Sequence, residues 1–230
     1  MNNSKSFFGK LIVIDGTDGS GKKTQTELLY KELTTHKLPV KSISFPQYGQ
    51  SSAKLIEAYL AGELEVTNPY AAATLYAYDR FAAKNQIKEW LSEGYIVLAD
   101  RYTLSNCAHQ GGKIPALEDR IKFVKWVENL EYGIFEIPRP DLSIILHVPA
   151  EISYELVKKN AHKTGAAKDI HEDDIIHLKN AELVYMQLAK IMPRTSIIHC
   201  VQDGTLLSIQ EIQNKIWQII YRYVLKNMIM

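Results

Sequence analysis

Short apolar runs alternate with longer amphipathic stretches along this chain. The apolar runs are rich in Val, Ile and Leu and lack strict alternation of polar and apolar positions. They lie at residues 11–15, 40–45, 95–100, 142–148 and 196–201. Continuous apolar runs of this length are typical of strands that are buried on both faces of a sheet.

Between these runs, apolar residues recur at the spacing of an α-helix. The predicted helices cover residues 24–35, 70–92, 119–129, 152–160, 173–191 and 208–226. In the first of them, Leu28, Leu29 and Leu33 share one face. Strands that alternate with helices predict an α/β fold in which helices cover both faces of a five-stranded parallel sheet. With no linker or repeat in the sequence, we expect one domain over residues 1–230.

Composition and charge narrow the possible partners. The chain has 230 residues, 46% of them apolar, and a net charge of +1, so no basic surface indicates a nucleic acid. No apolar run is long enough for a membrane span, and the first residues do not resemble a signal peptide. Cys107 and Cys200 are isolated and fit no metal-binding spacing. These features favour a cytoplasmic protein without a membrane partner.

The first strand leads into a glycine-rich turn and a helix. Gly16, Gly19 and Gly21 precede Lys22, in the order that a phosphate-binding loop requires. Glycines allow several backbone N–H groups to converge on one anion, and a helix N-terminus adds further donors. Lys23 departs from the motif, since Ser or Thr normally follows the first lysine. The alternative is an ordinary glycine-rich turn between a strand and a helix.

Ligands bind at the carboxyl ends of the strands in such sheets, and an acid followed by an arginine lies at one of these ends. Asp100 ends the third predicted strand, where it could hold Mg²⁺ directly or through water. Arg101 offers bidentate recognition of a phosphate. The two residues could instead form a structural ion pair.

Two further segments contain polar residues that could contact a ligand. Tyr76 and Arg80 lie four residues apart on one helix face, which suits a planar base, although an aromatic residue on an amphipathic helix is usually part of the core. Residues 158–174 form the most polar long stretch and are expected to act as a lid. A plain solvated loop is the alternative for that stretch.

Together these segments resemble the thymidylate kinase family of P-loop nucleoside monophosphate kinases. The resemblance rests on G-x-D-G-x-G-K-x-T-Q at residues 16–25, Phe45-Pro46, L-Y-A-x-D-R at 75–80, D-R-Y-x-x-S-N-x-A-x-Q-G at 100–111 and P-R-P-D-L at 138–142. It implies a three-layer P-loop NTPase fold, Mg²⁺ as cofactor, ATP and dTMP as substrates, dTDP as product, and a homodimer.

The resemblance also implies roles for individual residues. The residues expected to take part in catalysis are Asp18, Lys22, Asp100, Arg101 and the lid residue Lys163. Those expected to bind ATP are Gly16, Gly19, Ser20, Gly21, Lys22, Lys23, Thr24 and Asp203. Those expected to bind dTMP are Asp18, Phe45, Tyr48, Tyr76, Arg80, Arg101, Ser105, Asn106, His109 and Gln110. Asp100 and Thr24 are the expected metal ligands.

Four departures from the family pattern leave alternatives open. Tyr48 stands where some relatives carry Arg, and His109 stands where Tyr often lies beside the sugar; both could change the choice of acceptor. Lys23 replaces a hydroxyl residue, and the lid contains lysines but no arginine. These last two departures are compatible with a nucleotide-binding protein that has lost catalysis.

Overall fold

A computed structural model of the protein describes residues 9–164 and 175–226, with side chains described outside 160–164. Its central element is a parallel sheet, as the sequence predicts. The order β2-β3-β1-β4-β5 places the first strand in the middle, between β3 and β4. The strands are β1 Lys10–Gly16, β2 Val40–Ser44, β3 Ile96–Asp100, β4 Leu142–His147 and β5 Thr195–His199.

Helices surround this sheet. They are α1 Lys22–Thr35, α2 Lys54–Leu60, α3 Pro69–Ala82, α4 Lys84–Ser92, α5 Thr103–Gly111, α6 Leu117–Glu128, α7 Ala150–Thr164, α8 Ile175–Ile191 and α9 Ile209–Ile220. A single π-helical turn, Asn129–Ile134, follows α6, and another, Tyr221–Leu225, follows α9. A short antiparallel hairpin joins β6 Val201–Gln202 to β7 Thr205–Leu206.

Two differences from the predicted helices have physical causes. The stretch 70–92 is two helices, because the N–H of Ala83 bonds to the carbonyl of Arg80 and closes α3 with a tighter turn. Helix α5 was not predicted. Its buried positions include the polar residues Ser105, Asn106 and Gln110. These interrupt the regular spacing of apolar residues by which a buried helix is recognised in a sequence.

The three central strands, β3, β1 and β4, are buried on both faces of the sheet. Ile12 and Ile14 of β1 pack with Leu29 and Leu33 of α1 and with Ile216 of α9 on one face. Side chains of the intervening strand positions form separate clusters on the opposite face, which the other helices cover. The side chains of these three strands are almost fully removed from water, which explains the continuous apolar runs in their sequence. The outer strands β2 and β5 keep partly exposed and exposed positions. No helix in the described ranges has the length and apolar character needed to span a bilayer.

Candidate active site

The carboxyl ends of β1, β2 and β3 meet at one edge of the sheet, because these strands are parallel and in register. Ile14 of β1 pairs with Asp100 of β3, so the glycine loop after β1 lies beside Asp100 and Arg101. Two adjoining cavities open there. The first is lined by Asp18, Phe45, Pro46, Tyr48, Leu60, Tyr76, Arg80, Arg101, Ser105, Asn106, His109 and Gln110.

This first cavity contains every residue that the sequence analysis expects to bind the acceptor. The second cavity runs along the glycine loop and the start of α1, and it includes Gly19, Gly21, Lys22, Lys23 and Thr24. Asp100 also lines the second cavity, and the two cavities share Asp18, Phe45, Pro46, Tyr48 and Arg101. The arrangement therefore offers two ligand compartments with an acid and a guanidinium between them.

Other predicted site residues lie elsewhere. Ser20 is buried beneath the glycine loop, and Asp203 lies in the exposed turn between β6 and β7, outside both cavities. Residues 158–164 of the predicted lid continue helix α7. The side chain of Lys163 and all of residues 165–174 lie outside the described part of the chain, so the lid stays a prediction.

The glycine loop has the geometry of an anion cradle. Gly19 and Gly21 adopt positive φ angles of 81° and 85°, which strongly favour glycine. A Cβ atom on Gly19 would lie 2.6 Å from the carbonyl oxygen of Ser153 in α7, whereas a Cβ atom on Gly21 would meet no atom within 4 Å. Gly19 therefore packs tightly against α7, and Gly21 faces open space at the start of α1.

Lys22 is folded back into this loop. Its Nζ donates to the carbonyl of Thr17 at 2.7 Å, and only 7% of the residue is exposed. Burial, with help from Arg101, lowers the pKa of Lys22 to about 8 against the opposing pull of Asp18. Lys23 and Thr24 are both exposed on the first turn of α1. The ammonium of Lys23 thus belongs to the helix surface, and Lys22 is the cation placed within the loop.

Two carboxylates at the sheet edge have oxygens without partners. Oδ2 of Asp15 and Oδ1 of Asp100 are buried and accept no hydrogen bond from the described residues. The other oxygen of Asp15 accepts from Oγ of Ser105 at 2.6 Å, and burial raises the pKa of this carboxyl group. Asp15 was not among the predicted site residues. An acid that ends an apolar strand just before the loop glycines was the signal for it.

Arg101 links the two cavities. Its backbone has a φ of 66°, which is uncommon for a residue with a side chain, and its N–H donates to the carbonyl of Ile14. The guanidinium forms an ion pair with Asp18 and donates through Nη1 to Ser105. This contact holds the pKa of Asp18 well below its usual range despite burial. Among the described residues, the ion-pair partner of Arg101 is therefore Asp18 rather than its neighbour Asp100.

A pair of histidines continues from this guanidinium. Nε2 of His109 lies 3.2 Å from Nη1 of Arg101, and Nδ1 of His109 lies 3.1 Å from Nε2 of His177. Because a guanidinium can only donate, Nε2 of His109 accepts, and its proton is on Nδ1. Burial lowers the pKa of His109 well below its usual value, which agrees with a neutral ring.

The far end of the first cavity is built on the Asp79-Arg80 pair of α3. Asp79 accepts from the backbone N–H of Gln47 at 2.8 Å and from Oγ of Ser52 at 2.5 Å, so it anchors the loop after β2. Arg80 is 2% exposed and donates through Nε and Nη2 to Glu131. Sequence reasoning assigned no role to Asp79 or Glu131. Glu131 is one of three glutamates between residues 128 and 136, and no spacing in the sequence distinguishes it from the other two.

Comparisons with known proteins agree with this geometry. A family model described as thymidylate kinase matches residues 14–216. The thymidylate kinase of Mycobacterium tuberculosis is 35% identical over 185 residues, which is 78% of this chain and 85% of that protein. The Plasmodium falciparum thymidylate kinase is 32% identical over 61% of this chain and 62% of its own. The structure of thymidylate kinase from Candida albicans superposes with a TM-score of 0.75 at 25% identity, covering 93% of this chain and 92% of that one.

Proposed function

The chain belongs to the thymidylate kinase family, and from this premise we propose that it transfers the γ-phosphoryl group of ATP to dTMP, giving dTDP. The observation that carries the proposal is the pair of adjoining cavities, one beside the glycine loop and one lined by Tyr76, Arg80 and Asn106, with Arg101 between them. Phosphoryl transfer depends mainly on positioning two substrates and neutralising charge on the transferred group, and this edge offers both.

The second cavity is assigned to the ATP phosphates. The loop glycines and the start of α1 direct backbone N–H groups toward it, and Lys22 lies in the loop with its ammonium in reach of a bound anion. Bound phosphate would draw the Lys22 ammonium away from the carbonyl of Thr17. Ser20 is assigned to the same ATP site, and Asp203 to a position beside the adenine; both assignments rest on the family pattern alone.

The first cavity is assigned to dTMP. Arg101 would bind the acceptor phosphate, and Asp18 would then exchange its ion pair for a contact near the sugar hydroxyl and phosphate. Phe45, whose ring lies 5.8 Å from that of Tyr102, forms a wall of the cavity. Tyr76 would stack on the thymine, and Arg80 with Asn106 would meet its polar edge. Tyr48, Ser105, His109 and Gln110 complete the lining.

Residues at the sheet edge fit a magnesium ion. The unpaired buried oxygens of Asp15 and Asp100 are hard anionic ligands of the kind that Mg²⁺ prefers, and Thr24 lies on the nearby first turn of α1. The described residues contain no cluster of three or more His, Cys, Asp or Glu side chains suited to a metal. That fits Mg²⁺, which keeps several waters and shares phosphate oxygens. When bound, the ion neutralises charge on the β- and γ-phosphates.

Several finer properties stay proposals that rest on the family. They are the homodimer, the cytoplasmic location, the single-domain organisation, the lid over residues 158–174 and a catalytic part for Lys163. A second acceptor choice has one specific observation in its favour, because His109 with His177 replaces the aromatic residue that often lies beside the sugar. A closely related deoxynucleotide kinase is therefore the second candidate function.

A coupled assay of ATP consumption tests the proposal. The acceptors are dTMP, dUMP, dGMP and thymidine, each with and without Mg²⁺. We expect dTMP to give the largest kcat/KM and the reaction to require the metal. A larger value for another acceptor would support the second candidate. Nucleotide binding without turnover for any acceptor would reject the kinase function and support a protein that has lost catalysis.

A further inference from the structure

A fully buried acid lies behind the wall of the first cavity. Glu131 has no exposed surface, and its carboxylate accepts hydrogen bonds from Arg80, Thr103 and Asn106. It lies in the π-helical turn Asn129–Ile134, a local geometry that often occurs at functional sites. Both Arg80 and Asn106 line the cavity, whereas Glu131 does not. Glu131 therefore contacts the cavity only through these two side chains.

Glu131 fixes which way the amide of Asn106 points. One end of this amide lies 2.9 Å from Oε1 of Glu131 and 3.0 Å from the carbonyl oxygen of Ala73. Both neighbours are acceptors, so this end must be the NH₂ group. The other end is then Oδ1, which is buried and has no hydrogen-bond partner among the described residues. Asn106 lines the cavity, and its Oδ1 is a buried acceptor that no described residue uses.

The same carboxylate fixes the guanidinium of Arg80. Nε donates to Oε2 at 2.7 Å and Nη2 donates to Oε1 at 2.6 Å, so the two groups form a bidentate pair. Burial alone would lower the pKa of Arg80, but the contact with Glu131 prevails and raises it. Nη1 makes no hydrogen bond to the described residues. Arg80 also lines the cavity, so its guanidinium is a fixed donor there, with Nη1 as the nitrogen that Glu131 does not engage.

We propose that Glu131 is a positioning residue that sets this order of donor and acceptor, so that the cavity selects a thymine or uracil edge over a cytosine edge. The inference rests on the proposed function. Thymine and uracil offer an oxygen acceptor at position 4 and an N–H donor at position 3, which complement Arg80 and Asn106. Cytosine offers an amino donor at position 4 and an acceptor at position 3. It would leave Arg80 facing a donor and Asn106 facing an acceptor, a costly mismatch in a buried site.

The test substitutes Glu131→Gln, which keeps the volume but replaces one carboxylate oxygen by an NH₂ group. This group cannot accept a hydrogen bond from Arg80, so the bidentate contact that orients the guanidinium is lost. We expect kcat/KM to fall roughly 10- to 100-fold for dTMP and equally for dUMP, since both present the same edge. For dCMP, measured as a substrate and as a competitive inhibitor, the loss is smaller. The preference for dTMP over dCMP therefore falls, while the preference for dTMP over dUMP and the KM for ATP stay unchanged.

Asp141→Asn is the matched control. Asp141 is a partly buried carboxylate that accepts from Lys10 and from the N–H of Leu11 at the opposite edge of the sheet. Its substitution removes a structural acid far from the cavity, so we expect lower thermal stability with unchanged base preference. If Glu131→Gln behaves like this control, or if all three acceptors lose the same factor, the inference is overturned and Glu131 is purely structural.

A second variant keeps the test decisive if Glu131→Gln does not fold. Glu131→Asp retains the charge, but its shorter side chain cannot reach both Arg80 and Asn106. We expect the same pattern across the three acceptors with a smaller loss. An unchanged ratio of dTMP to dCMP in this folded variant would equally overturn the inference. Failure of the proposed function is distinct, because the wild-type protein would then not phosphorylate dTMP at all.

Discussion

The ammonium group of Lys22 loses its proton at a pH close to the physiological range. In the free protein its pKa is lowered to about 8, mainly because it is buried. Below that pH the ammonium is present and attracts the phosphates of ATP, and above it the charge is lost. The pH dependence of kcat/KM reports groups of the free enzyme, so this titration should be visible there.

We therefore predict that kcat/KM for ATP falls above about pH 8, approaching a tenfold loss per pH unit. Lys22→Arg should flatten this alkaline limb, since a guanidinium stays protonated. Lys113 has a pKa lowered to about 8 as well, but its Nζ donates to the hydroxyl of Tyr59, and neither residue lines the cavities. Lys113→Met is therefore the control, and its alkaline limb should match that of the wild type.

Both the positive charge of Arg101 and the planar shape of its guanidinium matter for its contacts in the site. Its guanidinium contacts Asp18, Ser105 and His109 at once, which a single ammonium group on a flexible stem does not reproduce. We predict that Arg101→Lys lowers kcat/KM for dTMP by roughly 10- to 100-fold, as expected when a bidentate charged contact is lost. Steady-state kinetics with circular dichroism as a folding check would measure this. Normal kinetics in the folded variant would mean that another cation binds the acceptor phosphate.

At the scale of elements, the glycine loop depends on its contact with α7. Gly19 has a positive φ, and an added Cβ atom would lie 2.6 Å from a backbone oxygen of Ser153, which cannot rotate away. We predict that Gly19→Ala shifts the loop against α7, lowers the free energy of unfolding by about 1–3 kcal/mol and weakens ATP binding at least tenfold. Chemical denaturation and calorimetric titration would measure the two effects. Gly21→Ala meets no atom within 4 Å and is the control for strain alone.

Sequence patterns located the strands closely because buried parallel strands need continuous apolar runs, and the five predicted strands match β1 to β5 within about two residues at each end. The five-stranded parallel sheet is thus confirmed. Helix α5 was missed because polar residues are interspersed with apolar ones among its buried positions, and two of them, Ser105 and Asn106, donate to the distant partners Asp15 and Glu131. Those two acids were missed for the same reason, since each acts through contacts distant along the chain. Periodicity reports apolar burial and carries no information about such polar partners.

At the scale of the whole molecule, the site places charge where burial disfavours it. Lys22, Arg101, Asp15 and Asp100 converge at one edge of the sheet, and the last two retain unpaired buried oxygens. Such groups are held in position by the apolar core on both faces of the sheet. Burial lowers the pKa of Lys22 and raises the pKa of Asp15, so the charged forms of these two groups lower the stability of the empty protein, whereas the ion pair with Asp18 favours the charge of Arg101. We expect bound substrates to compensate this loss, which is a common exchange of stability for activity.

Lys22→Met tests this exchange. A pKa lowered from 10.5 to about 8 corresponds to about 3 kcal/mol of destabilisation below pH 8. Between pH 8 and 10.5 the unfolded chain binds the lysine proton more than the folded one, so wild-type stability relative to the variant should rise across this window. Methionine fills the same space without charge but loses the hydrogen bond to Thr17. At pH 7 we therefore expect a net gain of about 1–2 kcal/mol in the free energy of unfolding.

ATP should raise the Tm of the wild type and leave that of Lys22→Met unchanged, whereas dTMP should stabilise both. A variant less stable than the wild type at pH 7 would show that Lys22 supports the fold rather than straining it.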